Sequence, residues 1–441
     1  MDNSLMLSSK LIYFPRNILL SYLVLTIFMF IVSPWEWEVQ SVIVFYFYNI
    51  LYLISFFLGY KYGVSKYKIF DVNKIFYLKK VISISLIVSI FFIYPKFLFN
   101  LKVSNASIGE IFDSILLGIF SPSIAYAAKH QSEYEGFLTL SNPLVLFYFV
   151  TLPLQYIVIP LAIYHWKALK LWQKISYLVI AVTNVLSFIA IGTNKGVFDY
   201  VILLPVMALI LDPRLISFKY FLLKRIKLLF VLSLVLSLGI FYFSVGNQGR
   251  KKNDFGYDYS VGKIVNRDAT IMVFIPEIFE NTYIALDSYL TQGYYAMGLA
   301  IDLDFVWTYG LGHNNFFISL GEKVFGKNSI WSNTYQVRVE NIYEYSSTGK
   351  WHTAYVWLAN DFTFFGVSFI IFLIGYFFSH VWLDSLLCQN VFAIVLLPLF
   401  FTMILYFPAN NQVLGFQGSS ITFWVLFIFW YSSRKKMFVL V

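Results

Sequence analysis

The sequence predicts an all-α integral membrane protein of about ten transmembrane helices, with a long outer-face segment carrying amphipathic helices. Three observations predict it. Of 441 residues, 59% are hydrophobic and only 12% charged, too few to clothe a soluble domain in polar surface. The apolar residues gather in long runs, and the Lys and Arg between those runs fall mostly on one side.

A helix needs about 20 apolar residues to cross roughly 30 Å of hydrocarbon, and it must satisfy its own backbone there. Ten runs qualify, near residues 17–33, 39–60, 77–95, 143–164, 175–192, 197–211, 228–246, 362–381, 391–407 and 420–433. The first follows Lys10 and Arg16 as a signal peptide would, but no small-residue cleavage site follows it, so it reads as an uncleaved span. One face collects the N-terminus, residues 61–80, 165–174, 212–227, 382–389 and the tail from Arg434, with 19 basic residues against four acidic. The rest of the chain holds 13 basic and 19 acidic residues. Positive charge stays inside, so the first face is cytoplasmic and ten spans leave both termini there.

The cytoplasmic loops are all short, which leaves no soluble catalytic domain on the side where nucleotides are found. The outer face has two long segments, about 97–142 and 247–353. The chain thus divides into 1–246 with seven spans, 247–353 as a large outer segment, and 354–441 with the last three spans. In the first outer segment Ile108, Ile111, Phe112, Ile115, Leu116 and Ile119 recur at helical spacing opposite Glu110 and Asp113. This pattern suits either a helix lying in the interface plane or core packing. A looser stripe of Ile271, Ile275, Ile278, Phe279, Leu286 and Leu290 follows in the second.

Several classes are excluded or left without support. A net charge of +9 lies between apolar runs rather than on a solvated face, which argues against nucleic acid. The lone Cys388 allows no internal disulfide. No pair of histidines has metal-ligand spacing and no Asp-x-Asp pair is present, so neither a metal nor another cofactor is expected.

Chemistry at an outer face without nucleotides requires a substrate that brings its own activated bond, as polyprenyl-pyrophosphate sugars do. The protein must then place fixed positive charge where the diphosphate departs, and Arg binds phosphate oxygens in pairs. Arg250, Lys251 and Lys252 lie just beyond the seventh span, against the positive-inside trend. Arg267 and Arg338 are the other outer arginines. Lys195 stands in the glycine-flanked turn between the fifth and sixth spans, where backbone can approach a ligand. His313, His352 and Asp361 are candidates for the base that takes the acceptor hydroxyl proton. Gln292, Tyr294, Tyr295 and Trp351 lie among many outer rings on which sugars can stack. Each has a plainer reading as well: headgroup contact, a solvated face, a structural hydrogen bond, or the aromatic belt of a membrane protein.

Six strings resemble those of Wzy-type O-antigen and capsule repeat-unit polymerases. They are GTNKGVFD (192–199), SYLTQGYYAMGLA (288–300), TYGLGHNNFF (308–317), TYQVRVEN (334–341), KWHTAYVWLANDFTFFG (350–366) and FPANNQ (407–412). The resemblance runs from the fifth span nearly to the C-terminus; the first 140 residues are similar only in hydropathy. It implies transfer of a growing glycan from undecaprenyl pyrophosphate onto a new lipid-linked repeat unit. It also implies a fold similar to C-type membrane glycosyltransferases, in a bacterial cytoplasmic membrane, with a flippase and a chain-length regulator as further partners. Carried over residue by residue, it points first to Arg250 and Arg338, then to His352, Asp361 and the trio Asn410, Asn411 and Gln412. The chain departs from the family pattern at 382–389, where the last cytoplasmic loop has no basic residue. Three rivals stay open: a lipid-linked-oligosaccharide flippase, an O-antigen ligase, and a nonenzymatic scaffold.

Overall fold

The computed structural model describes residues 8–70, 78–131, 143–217, scattered positions from 219 to 243, 259–260, 263–326 and 329–434. These residues are overwhelmingly helical. Their only strands are β1 (Tyr259–Ser260) and β2 (Lys263–Ile264), a short antiparallel ribbon. Five helices are long and apolar enough to cross a membrane, six if one bent pair counts as a single span, as in an all-α membrane protein.

The chain forms two compact units. One unit comprises Met1–Asp71 with Tyr257–Phe423, the other Val72–Gly256 with Trp424–Val441.

In the first unit, α1 (Ser9–Val32) begins at the Ser8 side chain, which accepts from the Leu11 N–H, and α2 (Val42–Lys66) follows. The helix α13 (Ala354–Leu387) packs closely along α2. Its residues 364, 372 and 376 meet α2 residues 52, 59 and 63 in the same order, so the two helices run parallel. Small residues make the approach possible. A Cβ at Gly59 would lie 2.0 Å from the Phe372 carbonyl oxygen and one at Gly63 2.7 Å from that of Tyr376, a GxxxG contact of the kind that lets membrane helices touch backbone to backbone.

The expected eighth span starts at residue 362, and α13 breaks beside it. Thr363 has φ 60° and ψ 163°, outside the helical region, and its hydroxyl accepts from the Gly366 N–H to begin the second part of the helix. The turns before Thr363 therefore form a separate buried piece, which holds Asn360 and Asp361. The first unit also contains α10 (Glu280–Ile301), α11 (Asn315–Phe325), α12 (Tyr335–Tyr343) and α14 (Val391–Leu405).

The stripe expected over 271–290 is not one helix. Two short 3-10 turns, Thr270–Phe274 and Glu277–Phe279, precede α10 on either side of Ile275 and Pro276. Pro276 lacks the N–H that a continuous helix would need there, and Val273, Phe274, Ile278 and Phe279 are left exposed.

The second unit opens with α3 (Leu78–Phe91) and α4 (Ile93–Leu101), bent by 50° between them. Pro95 removes the bond to the Phe91 carbonyl and its ring crowds that oxygen, which accounts for the bend. The expected helix over 108–119 is present as α5 (Ile108–Phe120), fixed by a capping box between Ser107 and Glu110. Its stripe divides: Ile111 and Ile115 pack with Phe97, Leu98 and Ala190, while Ile108, Phe112 and Ile119 stay exposed. Next come α6 (Pro122–Gln131), α7 (Pro143–Tyr164), α8 (Leu171–Ile189) and α9 (Lys195–Leu211); the described positions from 219 to 243 are helical. The last helix, α15 (Gln417–Arg434), begins in the first unit and ends in the second.

Candidate functional site

The break in α13 organises a buried polar cluster. Asn360 and Asp361 precede Thr363, so their main-chain and side-chain groups turn to partners outside the helix. The Asn360 carbonyl accepts from the Thr308 N–H at 3.3 Å and lies 2.9 Å from the Thr308 hydroxyl oxygen. The Asn360 side-chain oxygen accepts from the Tyr335 N–H at 2.8 Å, and its amide donates to the Gly312 carbonyl at 2.9 Å and to Gln336 Oε1 at 3.0 Å. One asparagine thus ties the 308–312 loop to the start of α12.

Asp361 collects four donors on one carboxylate. They are the Thr308 hydroxyl at 2.5 Å, the N–H groups of Gly312 and His313 at 3.1 Å each, and His313 Nδ1 at 2.9 Å. The carboxylate side chain is fully buried and the imidazole is 16% exposed. A carboxylate only accepts, so Nδ1 carries the proton and Nε2 is left as the acceptor of the neutral ring. The geometry is that of a histidine base oriented by a buried acid.

Gly312 is required by space. A Cβ there would sit 2.1 Å from the Thr308 hydroxyl and 2.6 Å from Asn360 Cβ, displacing the groups that hold Asp361. Behind the loop, the Asn411 amide donates to the His313 carbonyl at 2.9 Å and the Asn314 amide to the Leu414 carbonyl at 2.6 Å. Asn314 also caps α11 through the N–H groups of Phe316 and Phe317. Asn410 and Gln412 are buried on either side of Asn411.

Arg338 belongs to the same framework through α12. Its Nε donates to the Asn333 carbonyl at 3.1 Å and Nη1 to that of Asp304 at 2.7 Å, with the guanidinium 4.7 Å from the Tyr335 ring centroid. Tyr335 is the residue whose N–H bonds Asn360. Among the described residues no carboxylate pairs with Arg338, and its buried Nη2 has no acceptor in hydrogen-bonding geometry. A fixed cation without a counter-ion is suited to an anionic ligand. Beside α11, a cleft of about 270 Å³ is lined by Asn315, Ile318, Ser319, Glu322, Trp331 and Thr348.

The structure brings His313, Asp361, Asn411 and Arg338 into one framework; other candidates lie elsewhere. His352 is buried against Tyr345, with Nε2 3.3 Å from the Ser346 carbonyl, and burial pushes its pKa down to about 4. The Tyr345 hydroxyl lies between the carbonyls of Gln292 and Trp351 at 3.1 and 2.8 Å, so those two residues join the His352 cluster. Tyr294 is core, its hydroxyl 3.1 Å from that of Thr26, and Tyr295 stacks on Trp37 with ring centroids 5.1 Å apart. Arg267 pairs with Glu280 at 3.1 Å on an exposed face. Lys195 pairs with Asp199 at 2.8 Å in the second unit. Arg250, Lys251 and Lys252 lie outside the described residues.

Sequence reasoning missed Thr308, Asn360, Gly312 and Asn314. All four lie inside strings already singled out, but attention to ionisable groups passed over the neutral donors that hold them.

It also missed Asp287, a carboxylate buried in α10 that accepts from the Ser33 hydroxyl at 2.5 Å. Burial pushes its pKa up to about 7. The fold therefore binds this proton more tightly than the unfolded chain does. Its stability contribution is fully present below about pH 4 and is lost as pH rises toward about 7, by at most about 4 kcal/mol. In Asp287→Asn the fall of the unfolding midpoint of the detergent-solubilised chain between about pH 5 and about pH 8 should flatten. An unchanged slope would remove Asp287 as its source.

Comparison with family models, curated proteins and solved structures finds no match to this chain.

Proposed function

We propose that the chain is a membrane glycosyltransferase that joins undecaprenyl-pyrophosphate-linked oligosaccharide repeat units at the outer face of a bacterial cytoplasmic membrane. The observation that carries the reading is the buried Asp361–His313 pair, linked through Asn360 and Tyr335 to the uncountered Arg338. His313 Nε2 takes the proton of the acceptor hydroxyl as that oxygen attacks the anomeric carbon of the donor. The bond from that carbon to the diphosphate oxygen breaks, and Arg338 neutralises the charge that develops on the leaving group. Asp361 holds the ring in the tautomer that leaves Nε2 free for this task.

The ten-span topology with both termini cytoplasmic is part of the same reading. The parallel run of α2 and α13 supports their being spans of the same direction, the second and the eighth. A flippase would be expected to carry ionisable residues in mid-membrane and short loops on both faces, whereas an O-antigen ligase would use the same donor with a different acceptor.

Deleting the gene and separating the surface polysaccharide on a gel tests the proposal. Loss of the polymerase is expected to leave single repeat units attached to their carrier or core. No attached units at all would indicate a flippase, and unattached polymer a ligase; either outcome would overturn the proposal.

A further inference from the structure

The second unit holds a basic cluster apart from the His313 framework. Lys96 on α4 donates to Asn184 Oδ1 on α8 at 2.7 Å, and Lys195 at the start of α9 pairs with Asp199 at 2.8 Å. Both ammonium groups lie over the same ring, 5.5 Å and 5.7 Å from the centroid of Phe188. A structural ion pair would need only Lys195 and Asp199. Lys96 brings a second cation against that pair without a second carboxylate, since among the described residues no acid lies within 4 Å of it. Asp199 offsets only one of the two like charges held over this ring, so the partly desolvated cluster keeps a net positive charge that a further anion would neutralise. The first turn of α9 contributes in the same sense, because the Asn194 side chain does not cap it and its N–H groups face the end where Lys195 begins. Phosphate groups match this set: compact, multiply charged, and able to accept from two ammonium groups at once.

We infer that Lys96 and Lys195 form an anion site for the phosphate or diphosphate of a lipid, separate from the site at Arg338. That its occupant is the second lipid-linked substrate, the one that carries the acceptor sugar, rests on the polymerase reading; the site itself does not.

The test is titration of the purified full chain, in detergent, with inorganic pyrophosphate. Wild type is expected to bind. Lys96→Ala and Lys195→Ala should each weaken binding roughly ten- to hundredfold, as loss of a charged hydrogen bond does, and Lys96→Arg should retain it. Asp199→Asn should bind more tightly, because the competing carboxylate is gone, and a damaged fold could not mimic that gain. Absence of binding by wild type, or unchanged affinity in both alanine variants, would overturn the site. In nanodiscs, polyprenyl diphosphate should compete with pyrophosphate and phosphatidylglycerol should not; competition by phosphatidylglycerol alone would assign the cluster to ordinary headgroups and overturn the substrate assignment. If gene deletion contradicts the polymerase reading while pyrophosphate still binds through Lys96 and Lys195, the anion site stands without that reading.

Discussion

Cells in which His313→Ala replaces the wild-type chain are expected to carry single repeat units and almost no polymer. The ring is held by a buried carboxylate through Nδ1 and has one acceptor nitrogen left. Loss of a positioned base lowers the rate by about a hundredfold to ten-thousandfold. Asp361→Asn is expected to lose activity on the same scale while leaving the protein in the membrane. An amide at that position can donate to Nδ1, which shifts the ring proton to Nε2 and removes the acceptor. His352→Ala serves as the contrast. That ring is buried against Tyr345, so its loss should lower the amount of folded protein more than the activity of what remains. The readouts are polysaccharide length on a gel and membrane abundance of each variant by immunoblot. Long polymer from His313→Ala at wild-type abundance would sink the assignment of the base.

Arg338→Ala is expected to be almost as damaging, through a different step. Cleavage of the sugar–phosphate bond concentrates negative charge on the departing oxygen, and removing one preorganised cation costs about 3 to 4 kcal/mol, or roughly a hundredfold to a thousandfold in rate. Two carbonyls hold the guanidinium in place, so the charge needs no reorganisation as the bond breaks. Lys should rescue in part, because it keeps the charge and loses the fork that bonds two oxygens. Arg267→Ala should be mild, since that residue already pairs with Glu280 on an exposed face. Arg250→Ala is expected to resemble Arg338→Ala if both cations hold one diphosphate. Normal polymer length from Arg338→Ala would return the residue to a purely structural role for α12.

Both expectations rest on a site whose parts were legible in the sequence and whose assembly was not. Hydropathy belongs to single residues and their near neighbours, so the membrane class and the helical content follow from the linear chain. The apolar run that begins near residue 362 coincides with the break in α13 at Thr363. Composition also brought out His313, Asp361 and Arg338 as candidates, but it ranked His352 beside them. Only tertiary structure separated the two histidines, by placing one beside a four-donor carboxylate and burying the other against Tyr345. The physical reason is range. Asp361 meets His313 across 48 residues and Asn411 meets His313 across 98, so the contacts depend on how helices pack and where one of them breaks. A positive φ at Thr363 costs about 1 to 3 kcal/mol locally, a strain that long-range packing around Asn360 and Asp361 must offset and that no local sequence preference would announce.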